Sequence, residues 1–405
     1  KFYLFNFIYI FIFIFINIIF LNKLFKRSKF LFSKNTQKNF IYFLSLLSFI
    51  FINIFFYRMA EYGTDRAAMI LVFLFVIELL KFLTSRIIKK NNLFTIYIFG
   101  ALIISFKAFY ILYIIFILPL FFYILKKKKT YIKSLYFLFF NKHFLLFIIL
   151  FSFVLFTYYI NTGCLIYPLS FTCFNEISWG IPISEVNLMN SWYELWSKAG
   201  ANPNFRIDNP EEYIKSFNWV NNWIDMYFFN KVSDFILGVI LLIIITLFLF
   251  RNVFFNKKIM RLDNQVFLVY LLILILGFEW FYNHPALRYG GYHILALMLF
   301  IPISVKLGLL KINVKEYSKK VIILISLTTI IFISRNINRI MNEVELYNFQ
   351  PISKTYYFID DGHFRIQKHM DKLIKHHNKC KKEKIECNTE PKIKNVIGKI
   401  VFINQ

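Results

Sequence analysis

Two acids and two arginines lie close together in a short polar segment between apolar stretches of the chain. The segment contains Arg58, Glu61, Asp65 and Arg66. Glu61 and Asp65 are four positions apart, so their carboxylates share one face if the segment is helical. Two such carboxylates could serve as a general base and as a ligand of a divalent metal ion. In the alternative interpretation, Arg58 and Arg66 pair with the acids and only solvate a helix end.

A second polar cluster follows a long apolar run and contains Glu279, His284 and Arg288. Pro285 and the glycine pair at 290–291 interrupt a helix here. The guanidinium of Arg288 could hold a phosphate or diphosphate through two hydrogen bonds, with His284 as a further donor. Glu279 lies inside the apolar run, where an unpaired carboxylate is unfavourable, and Arg288 is its expected partner. A purely structural Glu279–Arg288 pair is the alternative.

Tryptophan is concentrated in one long polar segment, residues 161–233, which holds five of the six tryptophans. Trp192 and Trp196 are four residues apart, as are Trp219 and Trp223, so each pair forms a patch on one helix face. Such patches are typical of helices at a membrane–water interface. They also suit a platform on which sugar rings stack, and this second interpretation makes Trp192 and Trp196 candidate substrate-binding residues.

The composition excludes several classes of protein. Apolar residues make up 58% of the 405 residues, against roughly 45–50% in soluble proteins, which argues against a water-soluble enzyme. The sequence has no P-loop, glycine-rich dinucleotide turn, HExxH or GxSxG motif, so ATP-driven, NAD-dependent and common hydrolase chemistries have no support. The net charge of +26 lies largely in short basic turns and indicates contact with membrane lipids rather than nucleic acid.

Long apolar runs predict the elements that position these residues. The runs are 2–21, 40–57, 67–83, 93–125, 144–160, 235–250, 266–282, 294–310 and 321–334. A helix of about 20 residues crosses a bilayer, whereas 93–125 would span about 50 Å as one helix. We therefore predict two crossings with a turn near residues 105–108, where Lys107 extends its amine to the interface. The predicted fold is an all-α polytopic bundle of about ten spanning helices.

Basic residues predict which connections face the cytoplasm. The basic connections alternate along the chain and are 22–38, 81–92, 126–142, 251–265 and 311–320. The connections 58–66, 161–233 and 283–293 and the tail from about 335 then lie on the outer side. The predicted organisation is a transmembrane domain over 1–334, including the outer loop 161–233, and a soluble extracytoplasmic tail over 335–405.

The four cysteines all fall on the predicted outer side, where disulfides persist. Cys164 with Cys173 and Cys380 with Cys387 is the simplest of three possible pairings, and free thiols are the alternative. The tail is basic and holds the adjacent His376 and His377. We interpret it as an amphipathic helix at the membrane surface, with metal binding by the histidines as the minor alternative.

The N-terminal residue is Lys1 rather than Met, and we therefore expect the chain to be a fragment of a longer protein. The first apolar run, 2–21, lacks a small-residue cleavage site, so we expect it to span the membrane rather than to act as a signal peptide.

Several motifs together resemble a known group of proteins. They are the segments 61–65, 162–168, 172–174, 191–196 and 284–290, with Trp179. In these motifs the chain is similar, over about residues 40 to 345, to a family of uncharacterised polytopic bacterial membrane proteins carrying a domain of unknown function. It also resembles the GT-C class of membrane glycosyltransferases.

The resemblance to the GT-C class implies a function on the outer face of the bacterial inner membrane. Such enzymes transfer a sugar from a polyprenyl-phosphate donor, here in the assembly of envelope polysaccharide or glycolipid. Asp65 or Glu61 would be the catalytic base or the ligand of a divalent metal ion, and Arg288 and His284 would bind the leaving phosphate. Asp65 has a supporting role if the catalytic acid of the class lies in an earlier outer loop.

Other functions are compatible with the same sequence. A transporter or flippase of lipid-linked saccharides is the main alternative, and it would show internal repeats and broken helices near the bilayer midplane. No repeat is present in the sequence. A polysaccharide polymerase or ligase is a further alternative, because it would require similar residues.

Overall fold

The structure is a computed structural model whose backbone is described over most of the chain. The described residues are 2–28, 36–58, 64–174, 177, 179–202, 205–251, 264–309, 314–347, 392–396 and 399–403. The chain divides into two compact units, Lys1–Ser334 and Arg335–Gln405.

Helices dominate the described chain. The first seven are α1 (Phe2–Ser28), α2 (Thr36–Phe55), α3 (Asp65–Leu83), α4 (Asn91–Phe106), α5 (Ile117–Lys128), α6 (Tyr131–Phe139) and α7 (Lys142–Thr162). The others are α8 (Ile183–Ser197), α9 (Pro210–Ile214), α10 (Val220–Trp223), α11 (Ser233–Phe250), α12 (Asn264–Asn283), α13 (Gly291–Gly308) and α14 (Val314–Tyr347). A 3₁₀ helix, Ala108–Phe116, leads into α5, and a π-helix, Ile224–Val232, leads into α11.

Seven helical segments of the described chain are long and apolar enough to cross a membrane. They are Ile8–Phe25, Ala108–Lys128, Lys142–Thr162, Val220–Phe250, Asn264–Asn283, Gly291–Gly308 and Glu316–Leu346. Two shorter apolar helices occupy Asn39–Phe55 and Asn91–Phe106. The protein is therefore a multi-pass membrane protein.

The break predicted inside the apolar run 93–125 is present. Helix α4 ends at Phe106, Lys107 has an extended backbone, and the next helix begins at Ala108. The extended residue interrupts the helical hydrogen bonding and leaves the Lys107 side chain at a helix end.

Helices α2 and α3 form the centre of the first unit. Phe51 of α2 contacts the rings of Phe55, Phe73, Phe235 and Phe300, with centroids 4.7–6.0 Å apart. Close packing of this kind drives association of helices in lipid, where burial of apolar surface alone gives little. The many phenylalanines thus hold the core of the bundle together.

Helix α7 lies at the periphery, because none of its side chains is buried. Three of its apolar side chains, those of Leu145, Phe153 and Phe156, are more than half exposed. An apolar helix without a protein neighbour on most of its surface is suited to contact with lipid tails.

Each end of α3 carries a carboxylate. Asp65 is its first residue, and Glu78 lies about 20 Å further along at 1.5 Å per residue. Glu78 accepts hydrogen bonds from Lys23 at 2.5 Å and from Lys81 at 2.8 Å. The carboxylates of Asp65 and Glu78 thus lie at opposite ends of the bundle.

Two of the predicted basic connections meet at the Glu78 end. Lys127 donates to the carbonyl of Arg86 at 3.5 Å, which joins the connections 126–142 and 81–92. Lys90 donates to the carbonyl of Phe140 at 3.2 Å and joins them a second time. We call this the basic end of the bundle.

The described chain also contains short strands, which the all-α prediction did not include. Strands β1 (Ala201–Asn202) and β2 (Phe205–Arg206) pair antiparallel, and in the second unit β3 (Lys392–Val396) pairs antiparallel with β4 (Lys399–Ile403). The predicted amphipathic helix of the tail, with His376, His377, Cys380 and Cys387, lies outside the described residues.

Candidate functional site

The carboxylate of Asp65 connects three helix ends at the end of the bundle opposite the basic end. The Oδ1 atom of Asp65, at the start of α3, accepts a hydrogen bond from the Lys107 amine. Its Oδ2 atom lies 3.3 Å from the guanidinium of Arg288, in the connection between α12 and α13. A negative charge in the first turn of α3 is also favoured by the helix dipole. Asp65 is therefore held by two cations.

The two cations differ in their accessibility. The side chain of Lys107 is 23% exposed, whereas that of Arg288 is 60% exposed. Burial lowers the pKa of Lys107 from its ordinary value, and the adjacent Asp65 carboxylate acts in the opposite direction. Exposed ion pairs contribute roughly 0–1 kcal/mol, so Arg288 can leave Asp65 at little cost.

The ring of Tyr289 lies beside both cations. The Lys107 amine is 4.5 Å and the Arg288 guanidinium 5.5 Å from its centroid, which are cation–π distances. Burial raises the pKa of Tyr289, with a smaller opposing effect of Arg288. Its phenol is therefore a neutral hydrogen-bond donor and acceptor at neutral pH.

His284 is the next residue of the site, directly after α12. Its ring contacts Phe109 and Tyr289, with centroids 6.4 and 5.7 Å apart. Burial, together with the positive charges of Lys198 and Lys107, lowers the pKa of His284 to about 4. The imidazole is thus neutral at pH 7. Its Nδ1 atom is buried without a hydrogen-bond partner among the described residues, so it can accept or donate one further bond.

Lys198 comes from the long segment between α7 and α11. Its side chain is 1% exposed and pairs with Glu194 at 2.5 Å. The amine also lies 5.1 Å from the ring of Trp219 and 5.5 Å from that of Tyr282. A buried amine of this kind needs both a counterion and polarisable neighbours, because an uncompensated charge would be unfavourable.

We call Asp65, Lys107, Lys198, His284 and Arg288 the cationic cluster. With Glu194 as the partner of Lys198, its three cations face two carboxylates, and His284 is neutral. Among these described residues, one positive charge remains in excess. A site with an excess positive charge, an exposed guanidinium and a free imidazole nitrogen is suited to an anion such as a phosphate.

The arginines of the first polar segment lie against aromatic rings. The guanidinium of Arg58 is 6.0 Å from the ring of Tyr57, and that of Arg66 is 5.8 Å from the ring of Phe56. Glu61, the second predicted catalytic acid, lies outside the described residues. Asp65 is therefore the acid of this segment whose position is described.

Glu279 does not have the partner that the sequence suggested. It accepts a hydrogen bond from Asn283, one turn further along α12, at 3.1 Å. Arg288 instead reaches Asp65, because Pro285 ends the helical path and redirects the chain towards α3. The Oε2 atom of Glu279 is buried without a hydrogen-bond partner among the described residues.

The tryptophan pairs have different environments. Trp192 and Trp196 are half-buried with centroids 6.3 Å apart, and Arg206 lies 5.2 Å above the ring of Trp192. Trp219 and Trp223 are buried against Phe281. The second pair is therefore part of the core and not a surface patch, since α12 covers it.

Cys164 and Cys173 form a disulfide just after α7. A backbone hydrogen bond from Leu165 to Thr172, at 3.0 Å, closes the same loop. The loop thus has a covalent and a hydrogen-bonded tie. Cys380 and Cys387 lie outside the described residues.

Among the described residues, the candidate site offers few ligands for a divalent metal ion. The described residues contain no group of three or more His, Cys, Asp or Glu side chains that could hold a metal. Asp65, the one described carboxylate that contacts Lys107 and Arg288, would have to exchange these cations for the ion. The described residues of the cationic cluster do not fit a metal site, since hard cations require several oxygen ligands.

The sequence matches a protein family described as a domain of unknown function (DUF8201) over residues 2–295. The chain belongs to the DUF8201 family. All members of the cationic cluster lie within the part that matches DUF8201. No curated protein and no solved structure matches the chain.

The sequence alone did not predict two residues of the candidate site, Lys107 and Lys198. Lys107 was expected to extend to the interface, yet it pairs with Asp65. The signal was a single lysine inside the apolar run 93–125, where a charge requires a partner. For Lys198 the signal was Glu194 four residues earlier, the spacing of a helical ion pair.

Proposed function

We propose that the protein binds the phosphate of a polyprenyl-phosphate-linked sugar at the cationic cluster and transfers the sugar to an acceptor. The bridging of Lys107 and Arg288 by Asp65 is the observation that carries this proposal. The structure brings together a carboxylate, two cations and a neutral imidazole at one end of a membrane bundle, and this combination supports phosphate binding. The reaction would serve the assembly of envelope polysaccharide or glycolipid.

The proposed location is the outer face of the bacterial inner membrane. In this proposal α2, α3 and α4 cross together with the seven longer segments, which gives ten crossings. The basic end then faces the cytoplasm in accordance with the positive-inside rule, and the cationic cluster faces outward. The Cys164–Cys173 disulfide supports this orientation, because disulfides persist outside the cytoplasm.

Binding of the phosphate would rearrange the ion pairs of the site. Arg288 is exposed and only loosely paired, so an incoming phosphate can take its guanidinium from Asp65. Lys107 remains between the two anions, and His284 can donate from its neutral ring. This exchange frees Oδ2 of Asp65 when the substrate is present.

The freed carboxylate would act as a general base. The acceptor hydroxyl gives its proton to Asp65 while its oxygen bonds to the anomeric carbon of the sugar. The bond between that carbon and the phosphate oxygen breaks, and its electron pair goes to the phosphate. Arg288 and Lys107 stabilise the charge that develops there.

Binding and transfer are tested separately with purified protein in lipid nanodiscs. Arg288→Ala should lower the affinity for polyprenyl phosphate by roughly tenfold to a hundredfold, since hydrogen bonds to charged groups contribute about 1.5–3 kcal/mol. The matched control is Arg86→Ala, which removes an exposed arginine at the basic end. Equal affinities for the Arg288→Ala variant and the parent protein would refute the phosphate site.

Asp65→Asn distinguishes catalysis from binding. The variant should lose transfer of labelled sugar in vitro, and cells that carry it should lose surface glycan although membrane insertion is confirmed. It should still bind polyprenyl phosphate. Glu61→Gln should retain transfer if Asp65 is the base. Normal transfer by the Asp65→Asn variant would exclude Asp65 as the general base. If the parent protein binds the lipid-linked sugar but does not transfer it, the result would favour a transporter of lipid-linked saccharides.

A further inference from the structure

A cavity lined in part by lysines lies at the basic end, far from the cationic cluster. It has a volume of about 400 Å³ and lies between α1, α2 and α3. Its lining includes Ile19, Asn22, Lys23, Ser45, Ile77 and Lys81. We call it the lysine cavity. Its volume falls within the range of ligand pockets, about 300–1,000 Å³.

Lys81 is the accessible cation of the lysine cavity. It shares one carboxylate, that of Glu78, with Lys23, at 2.8 and 2.5 Å. The Lys81 side chain is 56% exposed and that of Lys23 is 26% exposed, so the Lys81 amine remains accessible to a ligand.

The surroundings of the cavity indicate how a ligand reaches it. Phe11, Phe15, Ile18 and Phe25 of α1 expose about half of their surface or more, and these apolar side chains suit contact with lipid tails. Neutral polar groups of Asn22 and Ser45 line the cavity beside the two amines. The cavity thus combines cations and hydrogen-bonding groups next to a surface that suits hydrocarbon.

We propose that the lysine cavity binds a phosphate anion supplied by the headgroup of an anionic phospholipid. Basic pockets between spanning helices on the cytoplasmic side commonly take such headgroups. The lipid phosphate would contact Lys81 and Lys23, and its chains would lie along the exposed face of α1. The site is independent of the proposed transfer reaction, because α3 separates it from Asp65 by about 20 Å.

Native mass spectrometry of the full chain in detergent tests this site with phosphatidylglycerol and phosphatidylcholine. Phosphatidylglycerol should bind more tightly, and Lys81→Gln should reduce its affinity about fivefold, the effect of one lysine near an anionic lipid. Lys23 still pairs with Glu78 in this variant, so the fold is retained. The matched control is Lys89→Gln, an exposed lysine of the same end outside the cavity.

Glu78→Gln gives the opposite prediction. It removes the carboxylate that neutralises one lysine, so affinity for phosphatidylglycerol should rise about fivefold. A structural role alone would not increase lipid binding. If the Glu78→Gln variant does not fold, the Lys81→Gln measurement tests the lipid site by itself.

Three results would overturn the proposal. The first is an equal loss of phosphatidylglycerol binding in Lys81→Gln and Lys89→Gln, which would indicate only general surface charge. The second is a folded Glu78→Gln variant without increased affinity. The third is saturable binding of inorganic phosphate as tight as that of the lipid, which would assign the cavity to a soluble anion.

Discussion

Asp65 accepts from two cations that are distant in the chain, Lys107 and Arg288. Its hydrogen bonds connect residues 42 and 223 positions apart. The two partners are not equivalent, because Lys107 is mostly buried and Arg288 is mostly exposed. At the residue scale the candidate site therefore has one buried cation and one exposed cation, and the exposed cation is suited to exchange its partner for another anion.

His284 should make the stability of the protein dependent on pH. Its pKa is lowered to about 4 in the folded protein by burial and by the charges of Lys198 and Lys107, against about 6.5 when unfolded. Between about pH 4 and pH 6.5 the unfolded state therefore binds more protons than the folded state. The stabilising contribution is complete above pH 6.5 and is lost as the pH falls towards 4.

Thermal unfolding in detergent at pH 7 and pH 5 checks this prediction. The unfolding temperature of the parent protein should be lower at pH 5, and His284→Gln should reduce the difference. The control is His143→Gln, which removes a histidine at the basic end. This variant should retain most of the difference in unfolding temperature between pH 7 and pH 5. An undiminished difference in His284→Gln would show that other groups cause the pH dependence.

At the element scale, the connection between α12 and α13 determines where Arg288 lies. Gly290 adopts a φ of +114°, a conformation that side chains rarely adopt. Trp280 donates from its indole to the carbonyl of Ala286 at 2.9 Å. The backbone N–H of Leu287 donates to the hydroxyl of Tyr227 at 2.9 Å. The connection is thus held from α12 and from the π-helix before α11.

Tyr227→Phe should weaken phosphate binding without touching the ligand. The substitution removes the acceptor of the Leu287 N–H and loosens the turn that presents Arg288. One hydrogen bond contributes about 0.5–1.5 kcal/mol, so the affinity for polyprenyl phosphate should fall roughly twofold to tenfold. Tyr270→Phe is the control, because its hydroxyl bonds to Met298 within the bundle. An unchanged affinity in Tyr227→Phe would exclude the positioning role.

At the scale of the whole molecule, the two ends of the bundle have different chemistry. One end has the cationic cluster and the disulfide, and the other has the basic connections around Glu78. This polarity follows from the chain path, because α3 runs from Asp65 at one end to Lys81 at the other. Membrane orientation then determines which end meets which compartment.

Cysteine labelling in intact cells tests that orientation. In a chain carrying Cys380→Ser and Cys387→Ser, an impermeant maleimide should label Glu211→Cys from outside. Ile132→Cys, at an exposed position of the basic end, should be labelled only after the membrane is opened. Labelling of both positions from the same side would contradict the proposed topology.

The sequence alone predicted the local features of this protein. Apolar runs predicted a helical membrane bundle, and the one lysine inside the 93–125 run coincided with the break between α4 and the next helix. The polar segments around Asp65 and Arg288 were identified as candidate sites from residue type and spacing. These features depend on neighbours within a few residues, so periodicity and composition are sufficient to find them.

The tertiary structure decided which distant groups meet. It paired Arg288 with Asp65 rather than with Glu279, joined Lys107 to the same carboxylate, and buried Trp219 beneath α12. Such contacts depend on which helix ends adjoin and where a turn points, and no local pattern contains that information. The membrane character therefore came from the sequence, whereas the composition of the site came from the packing of helices.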